Sequence, residues 1–152
     1  MKIAIGSDER TSLTDAVLAD LRKRGHELLL FGPLADNDPE VDWPLTSSHV
    51  AQSVAAQQAD EGIVFCWTGT GASIAANKVP GIRAALCADA ETARGARVWN
   101  HANVLALSLR STTDAIAKEI LDAWFSTPYS EDAWNLQQIE RIKSLEEHAQ
   151  RS

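Results

Sequence analysis

The segment IVFCWTGTGASIAANK, residues 63–78, brings a thiol and a glycine-rich turn together. An apolar run ends at Cys66, Gly69 and Gly71 follow, and an Ala-rich stretch of helical character begins there. Glycine permits positive φ and close approach of a ligand to the backbone, and the first N–H groups of a helix converge on negative charge. A thiol facing such a helix start is drawn toward thiolate, the form that acts as base or nucleophile. Asp8 follows the first apolar run and Cys66 ends the third, so in an open parallel sheet both stand at the carboxyl ends of strands, where such sheets bind ligands. Each residue also has a structural reading. A free cysteine at a strand end is as a rule a small core hydrophobe, Cys87 holds the equivalent position after the next run, and Asp8, Ser7 or Thr11 would serve as a helix cap. The turn does not match a dinucleotide or triphosphate site, because GSDERTS rather than G-x-G-x-x-G follows the first strand and no GKS or GKT occurs.

These residues need a sheet to position them. Short runs rich in Ile, Val and Leu at 2–6, 26–31, 62–66, 83–87 and 103–107 predict strands. Helical stretches at 11–24, 44–58, 71–79, 89–99 and 111–125 alternate with them, the pattern of a parallel α/β sheet covered by helices. Asp and Ser punctuate the helix starts, and Pro33, Pro39 and Pro44 mark a loop over 32–44. A last helix at 131–148 has no strand left to serve. Its Trp134, Ile139, Ile142 and Leu145 form either a packing stripe on the chain's own body or an arm laid on a partner subunit.

The chain's 152 residues, 45% of them hydrophobic, suit a single domain spanning 1–152 with one well-buried core. A formal charge of -7 disfavours phosphate-backbone binding and anionic membranes, so neither nucleic acid nor membrane is an expected partner. Two cysteines make no disulfide framework and no four-ligand zinc pattern. Acidic residues arrive too early for the apolar stretch of a signal peptide, and a cytoplasmic location is expected.

Segment 62–78, together with DWP at 42–44 and NHANVLALSLR at 100–110, resembles the ribose-5-phosphate isomerase B and galactose-6-phosphate isomerase family. The most specific match is Cys-x-Thr-Gly-x-Gly-x-x-x-Ala-Ala-Asn-Lys, from Cys66 to Lys78. The resemblance implies a Rossmann-like three-layer αβα sandwich around a five-stranded parallel sheet, with an added C-terminal helix. It implies aldose–ketose isomerisation of a sugar or sugar phosphate through an enediolate, with no metal or organic cofactor. A homodimer or a dimer of dimers with active sites shared between subunits is implied as well. By position Cys66 matches the base that moves a proton between C1 and C2, and Ala72 stands where some relatives carry a carboxylate instead. Thr68 would relay a proton at the substrate oxygens, the N–H groups of Gly69, Thr70 and Gly71 would stabilise the enediolate, and Asp8 would hold sugar hydroxyls. Asn100 and Arg110 match binding positions, Asn100 reaching the partner subunit's site.

The departures carry information of their own. Trp99 stands at the family's ring-opening His, Glu9 replaces the His after the first Asp, and Trp67 replaces a Gly and is expected to narrow or cover the pocket. AWNLQQI at 133–139 lacks the two arginines that hold phosphate in relatives. His101, two residues beyond the ring-opening position, reads as exposed or structural rather than as its substitute. Together these changes predict a substrate that lacks the usual phosphate or holds it through Arg110, Arg10 or Arg141, and that does not need ring opening, such as a tetrose; a phosphorylated pentose is the alternative. The other reading is a non-catalytic sugar-binding or partner subunit of an isomerase complex. A flavodoxin-like nucleotide binder rests on fold analogy alone.

Overall fold

A computed structural model describes all 152 residues. Five strands, β1 (Lys2–Ser7), β2 (Glu27–Phe31), β3 (Glu61–Cys66), β4 (Ala84–Leu86) and β5 (Val104–Ser108), form one parallel sheet in the order β2-β1-β3-β5-β4. The helices are α1 (Ser12–Lys23), α2 (Trp43–Ala55), α3 (Thr70–Ala76), α4 (Ala90–Asn100), α5 (Asp114–Ser126) and α6 (Ala133–Arg151). The strand period of two sorts side chains to two cores. Ile3, Ile5, Ile63, Phe65, Leu105 and Leu107 meet the α1, α4 and α5 layer around the fully buried Trp124. Ala4, Val64, Cys66, Val104 and Ala106 meet α2 and α3. The sandwich expected from the sequence is therefore observed.

Side chains of Thr11, Asp89, Thr113 and Asp132 cap α1, α4, α5 and α6. Each such cap satisfies an otherwise orphan amide, a contribution of about 1 kcal/mol. The proline loop is shorter than expected. Its last proline, Pro44, lies inside the first turn of α2, where its missing N–H costs nothing, and a short 3₁₀ turn occupies Gly32–Leu34.

The fourth strand has three residues where five were expected, because side chains capture the backbone at its start. The Arg83 amide donates to Asn103 Oδ1 at 2.8 Å. Asn77 then acts as a substitute strand on the open edge: its Nδ2 donates to the Ala84 carbonyl at 2.9 Å and its Oδ1 accepts from the Ala84 amide at 2.8 Å.

Of the α6 stripe, Ile139 is buried, while Trp134, Ile142 and Leu145 stay exposed. A buried Asn135 and a clasp of the Glu146 carboxylate on the Gly81 amide, at 2.9 and 3.0 Å, hold the helix to the body. No helix is long and apolar enough to cross a membrane.

Candidate active site

From β1 the chain passes to β2 on one side of the sheet, while β3 pairs on the other, so the crevice between the carboxyl ends of β1 and β3 is the topological switch point. Ser7 pairs with Phe65, which places Asp8 and Cys66 side by side at that crevice. Cys66 is only 6% exposed. Its sulfur accepts a hydrogen bond from the Ala72 amide in the first turn of α3, at 3.4 Å, so the expected meeting of thiol and helix start is realised.

The turn between them depends on Gly69, which sits at φ 76°. A Cβ there would come within 2.6 Å of the Leu86 side chain and 2.9 Å of the Leu107 carbonyl carbon. One expectation is corrected here. The Gly69 N–H donates to the Cys66 carbonyl at 3.2 Å and is not free for a substrate, because the turn closes on itself. The amides of Thr70 and Gly71 have no acceptor in the chain and remain available. The hydroxyls of Thr68 and Thr70 lie 2.7 Å apart at the mouth.

Across the crevice, Asp8 does not cap α1, since Thr11 does. Its Oδ1 is buried without a partner. Burial pushes the Asp8 carboxyl above its ordinary range and the charge of Glu9 adds to this, against a hydrogen bond from its own backbone. The Ser7 hydroxyl donates to the Glu9 carbonyl at 2.6 Å and accepts from the Glu9 amide at 3.2 Å, folding the loop that leaves Glu9 exposed.

Tryptophans rim the site, but not as expected. Trp67 is 60% exposed and does not cover the pocket. Its carbonyl is occupied by the Ser108 hydroxyl at 3.0 Å and the Arg110 amide at 2.9 Å, which turns the residue outward with the strand ends. The tryptophan lying on the glycine turn is Trp43, whose six-membered ring would sit 2.9 Å from a Cβ on Gly71. The sequence displays it in DWP, yet no spacing rule links residue 43 to residue 71.

Among the candidate phosphate-binding arginines, Arg10 is paired with Asp15 at 2.8 Å, and Arg141 lies on α6 bonded to Gln138 at 3.1 Å. Arg110 follows β5 at the same edge as Cys66, exposed and without an ion pair. Cys87 belongs to the opposite core from Cys66, and burial, followed by the charge of Asp89, pushes its thiol up to about 12. His101 is structural: buried at the C-cap of α4, stacked 4.4 Å from Tyr129, with Nε2 at 2.9 Å from the Ser130 carbonyl. No group of three His, Cys, Asp or Glu side chains comes together to hold a metal ion.

Trp99 and Asn100 are not brought to this edge. A crossover helix returns the chain from the carboxyl end of one parallel strand to the amino end of the next, so the last turn of α4 lies at the far end of the sheet from Cys66. There the two residues border a cavity of about 1000 Å³ between β4 and α6, lined also by Arg83, Ile139, Arg141 and Leu145. Size alone would make this cavity the site. The thiol, the free amides and the unpartnered carboxylate are all at the switch point, which makes the crevice rather than the cavity the candidate site.

Known proteins match the chain in both sequence and fold. A family model described as Ribose/Galactose Isomerase matches residues 3–144. Ribose-5-phosphate isomerase B of Escherichia coli (strain K12) is 39% identical over 147 residues, covering 96% of this chain and 97% of that protein. The D-erythrulose-4-phosphate isomerase of Pectobacterium atrosepticum is 34% identical over 145 residues, 93% of each chain. The solved structure of Clostridium thermocellum ribose-5-phosphate isomerase B superposes with a TM-score of 0.89 at 39% identity, covering 98% of this chain and 99% of that one. With a family model matching residues 3–144 and relatives matched over nearly the full length of both chains, the chain belongs to the ribose/galactose isomerase family of sugar isomerases.

Proposed function

We propose that this chain interconverts an aldose and a ketose by moving one proton between C1 and C2 through an enediolate. The observation that carries the reading is the Cys66 sulfur at the head of α3, 3.4 Å from the Ala72 amide, with two unoccupied amides beside it and a buried, unpartnered Asp8 oxygen opposite. Cys66 as thiolate removes the C2 proton of the aldose and returns it to C1, and Thr68 shuttles the hydroxyl proton between O1 and O2. The amides of Thr70 and Gly71 hold the charge that develops on oxygen at the helix start. Asp8 accepts hydrogen bonds from sugar hydroxyls, and Glu9, Trp67 and Arg110 line the mouth. No metal or organic cofactor is required by these steps.

Two chains complete each site. Trp99 and Asn100, at the far end of their own sheet, serve the crevice of a partner chain, and the exposed apolar residues of α6 pack on that partner. The enzyme acts in the cytoplasm as a homodimer or a pair of dimers.

The substrate is a short aldose that does not close a ring. Arg110 is the single unpaired arginine at the crevice, against the carboxylates of Asp8 and Glu9. Each hydrogen bond to a charged group contributes about 1.5–3 kcal/mol, so a phosphate dianion held by one arginine in place of several loses orders of magnitude in affinity. Trp99 supplies no proton for ring opening. A tetrose blocked at O4 cannot close a ring and needs no ring-opening proton, a free short-chain sugar needs no phosphate site, and the relatives include a protein named for a four-carbon sugar phosphate.

The test is turnover of erythrose, erythrose 4-phosphate, ribose and ribose 5-phosphate in deuterium oxide, with label uptake at C1 or C2 followed by NMR. The four-carbon sugars are expected to react with the higher kcat/KM and without added metal, chelator having no effect. Highest kcat/KM for ribose 5-phosphate overturns the substrate assignment. Sugar binding with neither turnover nor exchange makes the chain a non-catalytic subunit.

A further inference from the structure

Trp99 is 54% exposed, yet its ring has a built seat. It lies along α4 on Gly95, one turn earlier, as helical side chains lean toward the N-terminus. A Cβ at position 95 would stand 2.9 Å from Cζ3 and 3.1 Å from Cε3 of the indole, closer than carbon atoms pack. Glycine at this place is costly by itself, because it sits in the middle of an eleven-residue helix, where alanine is the better helix former. The Arg94 guanidinium lies 5.4 Å from the indole centroid and is held there by the Glu91 carboxylate, at 3.0 and 3.1 Å from Nε. An exposed aromatic with a notch cut beneath it and a cation fixed against it is a pre-oriented contact surface, not a residue left over from the core.

We infer that Gly95 is a positioning residue. By lacking a Cβ it lays the Trp99 ring flat on α4, so that the indole meets the substrate in one orientation. The inference rests on the placement of Trp99 at the partner chain's crevice proposed above, and it adds what fixes that ring and thereby what shapes the apolar wall of the substrate pocket. The helix geometry assigns Gly95 no contact with substrate, only with the indole.

Gly95→Ala separates this role from folding, because the substitution raises helix propensity while evicting the ring. The measurements are Tm, the 19F spectrum of 5-fluorotryptophan-labelled protein with the Trp99 resonance assigned by Trp99→Phe, and kcat and KM on the aldose of the panel above that reacts fastest. The thermal midpoint of Gly95→Ala is expected not to fall, and the Trp99 resonance is expected to move while those of the other four tryptophans stay. Misplacing a substrate-orienting group costs about 10- to 100-fold in kcat/KM, expressed here mainly as a higher KM. In a double-mutant cycle, Gly95→Ala is expected to add no further loss to Trp99→Ala, since there is then no ring to displace. An unmoved resonance, multiplying losses in the double variant, or full activity of Gly95→Ala beside an impaired Trp99→Ala overturns the inference and leaves the proposed site standing. Full activity of Trp99→Ala removes the indole from the substrate site and refutes both.

Discussion

Truncating Cys66 to alanine removes one sulfur with two separable consequences. In the fold, the sulfur accepts the Ala72 amide at 3.4 Å in a nearly closed environment. Leaving a buried donor unsatisfied costs about 1–3 kcal/mol. For a chain of this length each kcal/mol lowers Tm by about 2–4 °C, so the variant stays folded at 25 °C with a measurably lower melting point. In the reaction, a positioned acid-base group contributes about 10²- to 10⁴-fold, which is about 2.7–5.4 kcal/mol of barrier. Cys66→Ala is therefore expected to lose isomerisation and deuterium uptake together, by far more than its stability deficit explains. Cys87→Ala is the matched control: also a buried sulfur, but in the opposite core and with its thiol pushed up to about 12 by burial, so it should lose stability while keeping activity per folded molecule. Deuterium exchange at C2 read by NMR, on samples shown folded by circular dichroism, decides the matter. A folded Cys66→Ala protein that exchanges within about tenfold of the wild-type rate refutes the thiolate as base.

Subunit mixing tests the shared site: Cys66→Ala and Asn100→Ala proteins, each inactive alone, should recover about a quarter of wild-type activity after co-refolding in equal amounts, because half the dimers are mixed and carry one intact site. No recovery places Asn100 in its own chain's site, and an active Asn100→Ala protein places it outside the chemistry. The raised pKa of Asp8 gives a signed pH effect. A carboxyl that binds its proton more tightly folded than unfolded contributes stability in full below its ordinary 3.8 and loses it as the pH rises through the folded value. Asp8→Asn should therefore gain Tm relative to wild type at pH 7 and not below pH 3.8, while its KM rises; equal Tm differences at both pH values contradict the burial argument. Glu61 pairs with Arg97 at 2.7 Å and accepts the Trp124 indole N–H at 2.6 Å, all three buried or nearly so. Glu61→Ala leaves the Arg97 charge without its partner, and urea unfolding should show a loss of about 3–5 kcal/mol.

The crevice was legible because its signals are local. A strand ending in a thiol, glycines where the backbone must turn, and a carboxylate after a neighbouring strand all lie within short stretches of sequence. What escaped was either non-local or a matter of hydrogen-bond accounting. Trp43 reaches Gly71 only because α2 and α3 cover the same face, and no periodicity reports that. In the sequence the Gly69 amide reads as a substrate donor, yet the tightness of the turn commits it to the Cys66 carbonyl. The last helix showed an apolar stripe, but only Ile139 of it reaches the body, since a stripe states that something is to be covered without saying by which chain. The i, i+4 spacing of Gly95 and Trp99 was present in RGARVW all along; a glycine inside a helical pattern is the clue that a large neighbour lies across it.

The Asn77 side chain has a bearing on solubility. β4 is an outer strand, and the outward-facing peptide groups of such strands are templates onto which other chains add, the first step of edge-to-edge aggregation. Only alternate residues of a strand turn their peptide groups outward, which on β4 leaves Ala84 and Leu86 facing away from β5. The Asn77 amide already occupies both groups of Ala84 with the geometry a neighbouring peptide would use. An incoming strand thus finds one residue's worth of free hydrogen bonds in place of two, too few to hold it in register. A single carboxamide, placed by the end of a seven-residue helix, does the work that other sheets assign to lysines, prolines or a covering loop.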